Sequence, residues 1–296
     1  MAHRVNEMYG LYVNGSDAPD LTDSLANQIC PLTGKRCGKR RKSVNETIGT
    51  CSVLAKDSVS NEDMPMLICP DRLIEGNRIF LDCIDLISSS IPGSDLYLIP
   101  EVKTSAGRLD YVLAAFRDGH PVDFVGIELQ TLDTTGSVWP NRQRLLCDLG
   151  YMQSDTPKTD KQEYSINWKM TGKTILTQIV QKGQLFETFN RHLVLICQTP
   201  LYDYMEQAFN FSEVEDDNHR NHIHFHCYDY IPAQSEMCLR LGKMKSITAE
   251  AVDRIMGLES PSNEELVAIN KILEKRMKPD YLFNPFRLNN RMHTLV

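Results

Sequence analysis

Apolar and polar positions change rhythm several times along this chain, and each change marks a candidate element. Over residues 1–70 neither a helical nor a strand period persists, while Gly15, Gly34, Gly38 and Gly49 and Pro19, Pro31, Pro65 and Pro70 punctuate the run. Loops are expected to dominate there. A segment so poor in apolar stripes cannot bury a core of its own and needs another source of order. From Asp71 the spacing turns helical: Leu73, Ile74, Ile79, Phe80, Leu81, Ile84, Leu86 and Ile87 recur at threes and fours. This predicts a helix that stops before Ile91-Pro92-Gly93, with Cys83 in the core.

Strand rhythm follows. Arg108 to Phe116 and Val122 to Leu132 flank Asp118-Gly119-His120, a hairpin signal. A polar stretch from Asp155 to Asp160 leads to a long helix over about Gly172 to Arg191, whose inner face carries Ile175, Leu176, Ile179, Val180, Leu185, Phe186 and Phe189. Leu193-Val194-Leu195-Ile196-Cys197 is a continuous apolar run, the mark of a strand buried on both faces. An acidic loop, Glu213 to Asp217, precedes a further strand from Ile223 to Tyr230. Two amphipathic helices close the chain, Ala249 to Met256 and Asn263 to Met277, the second entered through a capping box of Ser262 and Glu265. The order predicts an α/β protein with a mixed sheet: a loop-rich module over 1–70 and a core over 71–296 with C-terminal helices.

Composition narrows the class. Of 296 residues, 42% are hydrophobic and 24% charged, which excludes a disordered chain. No run approaches the roughly twenty apolar residues that cross a bilayer. Met1 to Gly10 holds no apolar stretch behind a basic cap, so a soluble, unexported, cytoplasmic protein is expected, with no membrane partner. A net charge of -7 argues against coating nucleic acid by bulk attraction but leaves room for a local basic patch.

Nine cysteines without a secretion signal point to reduced thiols. Cys30, Cys37, Cys51 and Cys69 cluster near the amino terminus, separated by six, thirteen and seventeen residues. Turn formers stand beside two of them, in Cys30-Pro31-Leu32-Thr33-Gly34 and Cys69-Pro70. The alternatives are ordinary buried cysteines or a four-thiolate metal knot, and the shortage of apolar content favours the knot. Tetrahedral sulfur suits zinc or a single iron. Lys35, Arg36, Lys39, Arg40, Arg41 and Lys42 place six cations in eight residues around Cys37. Cations held in a fixed direction by a proposed ligand suggest phosphate contact, and Lys35, Arg36, Lys39 and Arg40 are candidate DNA contacts.

The chemically specific stretch is Gly107-Arg108-Leu109-Asp110-Tyr111-Val112, followed by Val125-Gly126-Ile127-Glu128-Leu129-Gln130-Thr131. Strand alternation puts Glu128 and Gln130 on one face and Ile127 and Leu129 on the other. Turn arithmetic decides whether Asp110 joins them. A two-residue Asp118-Gly119 turn would pair Asp110 with Ile127, whereas a three-residue loop or a bulge pairs it with Glu128; the longer loop or a bulge is expected. Two carboxylates that close repel unless a divalent cation lies between them, and hard oxygen ligands select magnesium. Such an ion can orient a water for attack on a phosphodiester.

Asp110 followed by Glu128-Leu129-Gln130 resembles the PD-(D/E)xK nuclease motif in its ExQ form, with Leu109 where the proline stands and Gln130 where most members carry lysine. Together with the four-cysteine module upstream, the chain resembles the NotI-type restriction endonucleases across nearly its whole length. That resemblance implies a bacterial, homodimeric type II enzyme cutting double-stranded DNA at a palindromic, GC-rich site with magnesium. It implies that Asp110 and Glu128 are the magnesium ligands, that Gln130 takes the lysine's place, and that the cysteine module holds iron. An amide can position water but supplies no positive charge, so more charge stabilisation must come from the metal.

Several residues read as bystanders. Glu101 reads as an exposed turn residue, and Lys182, which could supply the missing cation, as part of a solvated helix face. His222, His224 and His226 share one strand face and suit DNA-facing or packing roles better than zinc catalysis. Base readers could include Arg142, Arg144, Lys169, Lys173, Arg220 and His224, with the Arg142 to Arg144 region favoured because it follows the hairpin through Trp139-Pro140-Asn141. Gly172-Lys173-Thr174 lacks the upstream glycine of a P-loop, with Asn167 in its place. Two rivals stay open: a four-cysteine DNA-binding protein without nuclease activity, and a nonspecific or repair nuclease of the same superfamily.

Overall fold

The computed structural model describes residues 3–15, 17–41, 46–153, 163–233 and 236–256, and Lys271. The expected helix over Asn263–Met277, Lys271 apart, the polar stretch Asp155–Asp160 and Lys42 lie outside the described residues. Where loops were expected at the amino terminus, a four-stranded antiparallel sheet forms. It runs β2-β1-β5-β6, from β1 (Val5–Met8), β2 (Leu11–Tyr12), β5 (Thr50–Lys56) and β6 (Asp63–Leu67). Between β2 and β5 lie helix α1 (Thr22–Asn27) and a two-stranded ribbon of β3 (Arg40–Arg41) and β4 (Glu46–Thr47). Strands this short, several buried on both faces, leave no period for a pattern test to find. Val5, Met8, Val53, Ala55 and Met66 join a core shared with Leu145, Tyr164, Ile175 and Leu201 further along the chain. Met1–Met256 form one compact unit.

The helix expected over 73–87 is broken. A 3-10 segment, Pro70–Asn77, runs into the single turn of α2 (Arg78–Leu81) and then into a second 3-10 segment, Ile84–Ser90. Gly76 (φ 61°) and Asn77 (φ 56°) adopt left-handed conformations that no continuous helix tolerates. The apolar spacing survives the break, and Leu73, Ile79, Phe80, Cys83, Leu86 and Ile87 all reach the core.

A seven-stranded mixed sheet carries the molecule. Its first three strands form an antiparallel meander: β7 (Asp95–Thr104), β8 (Gly107–Arg117) and β9 (His120–Gln130). The small pair β10 (Thr134–Gly136) and β11 (Tyr164–Ile166) brackets helix α3 (Trp139–Asp148), and the long helix α4 (Trp168–Thr188) follows. The chain re-enters the sheet as β12 (His192–Gln198), leaves through α5 (Thr199–Ala208) and the short β13 (Glu215–Asp216), and finishes it with β14 (Ile223–Ala233) and β15 (Glu236–Ile247). Helix α6 (Ala249–Ile255) follows, with Thr248 capping its amino end. The strand order is β13-β15-β14-β12-β9-β8-β7. β12 runs parallel to both β9 and β14, so the run from Leu193 to Cys197 is buried on both faces, as its sequence predicts.

Two glycines bring α4 onto the sheet. A methyl group on Gly126 of β9 would run into the Phe186 ring of α4, and one on Gly183 of α4 would run into Ile223 of β14. Their missing side chains let helix and sheet approach closely enough for α4 side chains to reach the backbone of β8.

Candidate active site

The β8–β9 hairpin turns through Asp118 and Gly119, both at positive φ (52° and 79°), with Arg117 paired to His120. A tight turn of this kind would leave Asp110 on the wrong face. The register changes between Ala115 and Phe116: Phe116 pairs with Pro121, but Ala115 pairs with Asp123. Val122 is the extra residue of a bulge. From there to Tyr111–Ile127 the register is the one that sets Asp110 level with Glu128. Of the two expected devices, the bulge is the one used. The ladder ends at Tyr111, and Asp110 continues it with its side chain: Oδ2 accepts the Leu129 N–H at 2.8 Å.

Glu128 is buried, 7% exposed, and faces α4. Lys182, on the apolar stripe of α4 with Ile175, Ile179 and Phe186, is buried too. Its ammonium donates to Glu128 Oε1 and to the Arg108 carbonyl, both at 2.7 Å. The solvated helix face expected for Lys182 is therefore a correction, and the signal was present in the sequence. A lysine three residues after Ile179 and four before Phe186 lies on the buried side of the helix.

Burial pushes the Glu128 carboxyl up to about 7; the Lys182 hydrogen bond and charge oppose this, and the Asp110 charge adds to it. Burial also raises Asp110, against the Leu129 N–H and Lys182. Two acids held above their ordinary range form a site that a further cation would relieve. Among the described residues no three His, Cys, Asp or Glu side chains gather in ligating geometry. The carboxylate pair nonetheless fits magnesium, which takes one or two carboxylates and completes its shell with water and phosphate oxygens. Gln130 is half-buried on the same strand, its amide donating to the Thr131 carbonyl at 3.1 Å. Glu101 stands at a positive φ (58°) within edge strand β7 rather than in a turn, and is tied to Arg108 at 2.6 Å.

All four amino-terminal cysteines are buried and unoxidised. They sense one another: the Cys51 thiol donates to Cys69, and Cys37 feels the charges of Cys69 and Cys30. The Cys51 hydrogen bond, outweighing burial with help from Lys39, brings the Cys69 thiol down to about 7. Gly34 (φ 65°) donates its N–H to the Cys30 carbonyl at 2.9 Å, closing the turn that presents Cys30. Thiols are the donor type a structural zinc or iron takes, but no three of these four gather in ligating geometry. Burial lowers the pKa of Lys39, which sits against these thiols, while Lys35, Arg36 and Arg40 are exposed.

The residues favoured as base readers part company. Arg142 is 4% exposed; its guanidinium donates to the Ile48 carbonyl at 2.8 Å and stacks on the Trp139 ring at 4.5 Å. It braces α3 against the amino-terminal segment, and its burial leaves little of the guanidinium for any other contact. Arg144 is half-buried near Glu163, at 3.7 Å. Lys169, Lys173 and Arg220 are exposed. His224 and His226 are fully buried, and His224 links Asp217 (2.6 Å) to His192 (2.9 Å), so this strand packs rather than reads. No helix among the described residues is long and apolar enough to cross a membrane.

No curated protein sequence matches the chain. The family model for restriction endonuclease NotI does, over residues 19–237, a span that holds the four cysteines, the Asp110–Glu128 hairpin and α4. The chain therefore belongs to the NotI restriction endonuclease family, whose members are type II site-specific deoxyribonucleases.

Proposed function

We propose that this endonuclease hydrolyses double-stranded DNA at a palindromic, GC-rich site with magnesium, as a homodimer whose two-fold symmetry matches that of its target. The supporting observation is that the Val122 bulge sets Asp110 level with Glu128, close enough for the Asp110 charge to act on the Glu128 carboxyl. Asp110 and Glu128 would hold the ion. When bound, magnesium polarises the scissile phosphate, lowers the pKa of an attacking water and neutralises the leaving oxygen. Gln130 would orient an attacking water through its amide oxygen, since its amide N–H donates to the Thr131 carbonyl, and would add no charge.

The 1–70 segment serves as a metal-bearing module in which Cys30, Cys37, Cys51 and Cys69 hold iron or zinc in a structural role. Its exposed cations Lys35, Arg36 and Arg40 would contact phosphates, joined by Lys39, which sits against the thiols, and by Arg144. Incubation with a long plasmid and magnesium tests the whole reading. Discrete bands with uniform ends, mapped by sequencing, are expected. A smear would make the protein a nonspecific nuclease, and intact DNA would leave a binding protein.

A further inference from the structure

We infer that Lys182 is the positioning cation of this site, delivered from α4 to the place the ExQ motif leaves without one. The inference rests on the nuclease reading above and adds to it a residue that the motif does not contain. Lys182 is buried among Ile179, Leu193, Leu195 and Ile223, surroundings that favour an aliphatic side chain. A buried lysine is stable only where its charge is matched, and here the match is one of the two proposed magnesium ligands. Its two partners define where the charge lies. One is Glu128 Oε1; the other is the Arg108 carbonyl. The register that sets Asp110 level with Glu128, carried two residues on, sets Arg108 beside Gln130. The ammonium thus lies beside the carboxylate, on the side where a lysine at 130 would have brought its own.

The geometry also says what Lys182 does. By holding Oε1 and a main-chain carbonyl together, it fixes the rotamer of Glu128 and leaves the carboxylate's second oxygen outside that pair. Gly126 beneath Phe186 and Gly183 above Ile223 keep α4 at the required distance. A solvated lysine on the outer face of α4 would need none of this.

Swapping the position of the charge tests the idea in the full-length chain. Lys182→Met is expected to lower kcat for plasmid cleavage at least a hundredfold while KM for DNA changes less than threefold. Magnesium binding measured by calorimetry should weaken no more than threefold, since both carboxylates remain. Adding Gln130→Lys to Lys182→Met should recover at least tenfold of the lost rate, which a merely structural role would not allow. If Lys182→Met fails to fold, Lys182→Gln, one atom shorter but with an amide donor that can still point towards the Arg108 carbonyl, carries the same expectations. Cleavage by the substituted chain within threefold of wild type would overturn the inference, as would loss without rescue by Gln130→Lys. Failure of the wild-type chain itself to cut DNA would instead overturn the nuclease reading.

Discussion

Glu7 and Arg72 meet in the interior at 2.9 Å, each about 1% exposed, and join the amino-terminal sheet to the segment that leads into the main sheet. Tyr230 of β14 donates to the same carboxylate at 2.5 Å, and Arg72 also donates to the Met237 carbonyl at 2.6 Å. Burial raises the Glu7 carboxyl, and Arg72 and Tyr230 counter it. Removing one member would leave the other buried and unmatched. Arg72→Met is expected to cost about 3–5 kcal/mol of stability, and Glu7→Gln combined with Arg72→Met less than that. Urea midpoints at neutral pH measure both, with Glu7→Gln alone closing the cycle; a double loss equal to the sum of the two single losses would show that the pair contributes no coupling.

Cleavage and binding should separate at the carboxylates. Asp110→Asn and Glu128→Gln would each remove a proposed magnesium ligand and leave the exposed cations of the amino-terminal segment untouched. Turnover should fall by about a hundredfold or more, while affinity for the cut site in calcium changes little. Fluorescence anisotropy and a plasmid-nicking assay, run on the same preparations, decide it. Parallel loss of both would mean that these residues hold the fold rather than the ion.

The close approach of α4 should be sensitive to a single methyl group. Gly126→Ala forces the Phe186 ring away, and overpacking of this kind costs about 1–3 kcal/mol. Because the same contact sets the reach of Lys182, cleavage should fall further than the lost stability explains. Rates measured well below the melting temperature test this, with Gly15→Ala, where an added methyl makes only ordinary contacts of 3.4 Å or more and the backbone is not left-handed, as the comparison.

Elemental analysis of the purified chain should find about one iron or zinc per molecule, as four thiolates would bind. Cys51→Ser should lose that metal and lower the melting temperature, because metal affinity here is folding free energy. Retention of the full melting temperature by a metal-free Cys51→Ser chain would make the cysteines ordinary core residues.

Acid should unfold the protein earlier than its surface charge implies. Burial, with His224 next in importance, brings His226 down to about 4, and burial with the neighbouring His224 and His222 does the same for His192. Both stay neutral in the fold at pH values where an unfolded histidine, near 6.5, takes up a proton. Stability should therefore be unaffected above about pH 6.5 and fall as pH drops from there towards 4. The slope is about 1.4 kcal/mol per pH unit for each histidine that titrates only when unfolded. Asp217 acts in the same direction: despite burial, its hydrogen bond to His224 holds its carboxyl below the usual range, and that stabilisation is lost in acid. Asp82, His219 and Cys83 border this group. Urea midpoints between pH 4 and 7.5, repeated with His226→Asn, test the slope.

Much of the site was legible in the linear chain because its logic is local. Strand alternation put Glu128 and Gln130 on one face, and counting residues through the turn showed that Asp110 could join them only with one residue extra. The uninterrupted apolar run from Leu193 to Cys197 announced a strand covered on both sides, and the Ile175–Phe186 stripe announced α4. The edge strand β7, exposed along most of its length, and the short strands of the amino terminus offered no such rhythm. Residues 73–87 offered a helical one that Gly76 and Asn77 interrupt.

Tertiary structure alone decided which side chains from distant segments share a space. Lys182 and Glu128 are fifty-four residues apart, and they meet because two glycines let α4 settle onto the sheet. Arg142 appeared poised for DNA and instead stacks on Trp139 and caps Ile48. Period and turn length follow from backbone sterics, which act between neighbours in the chain. The partner of a buried charge follows from packing, which acts between neighbours in space.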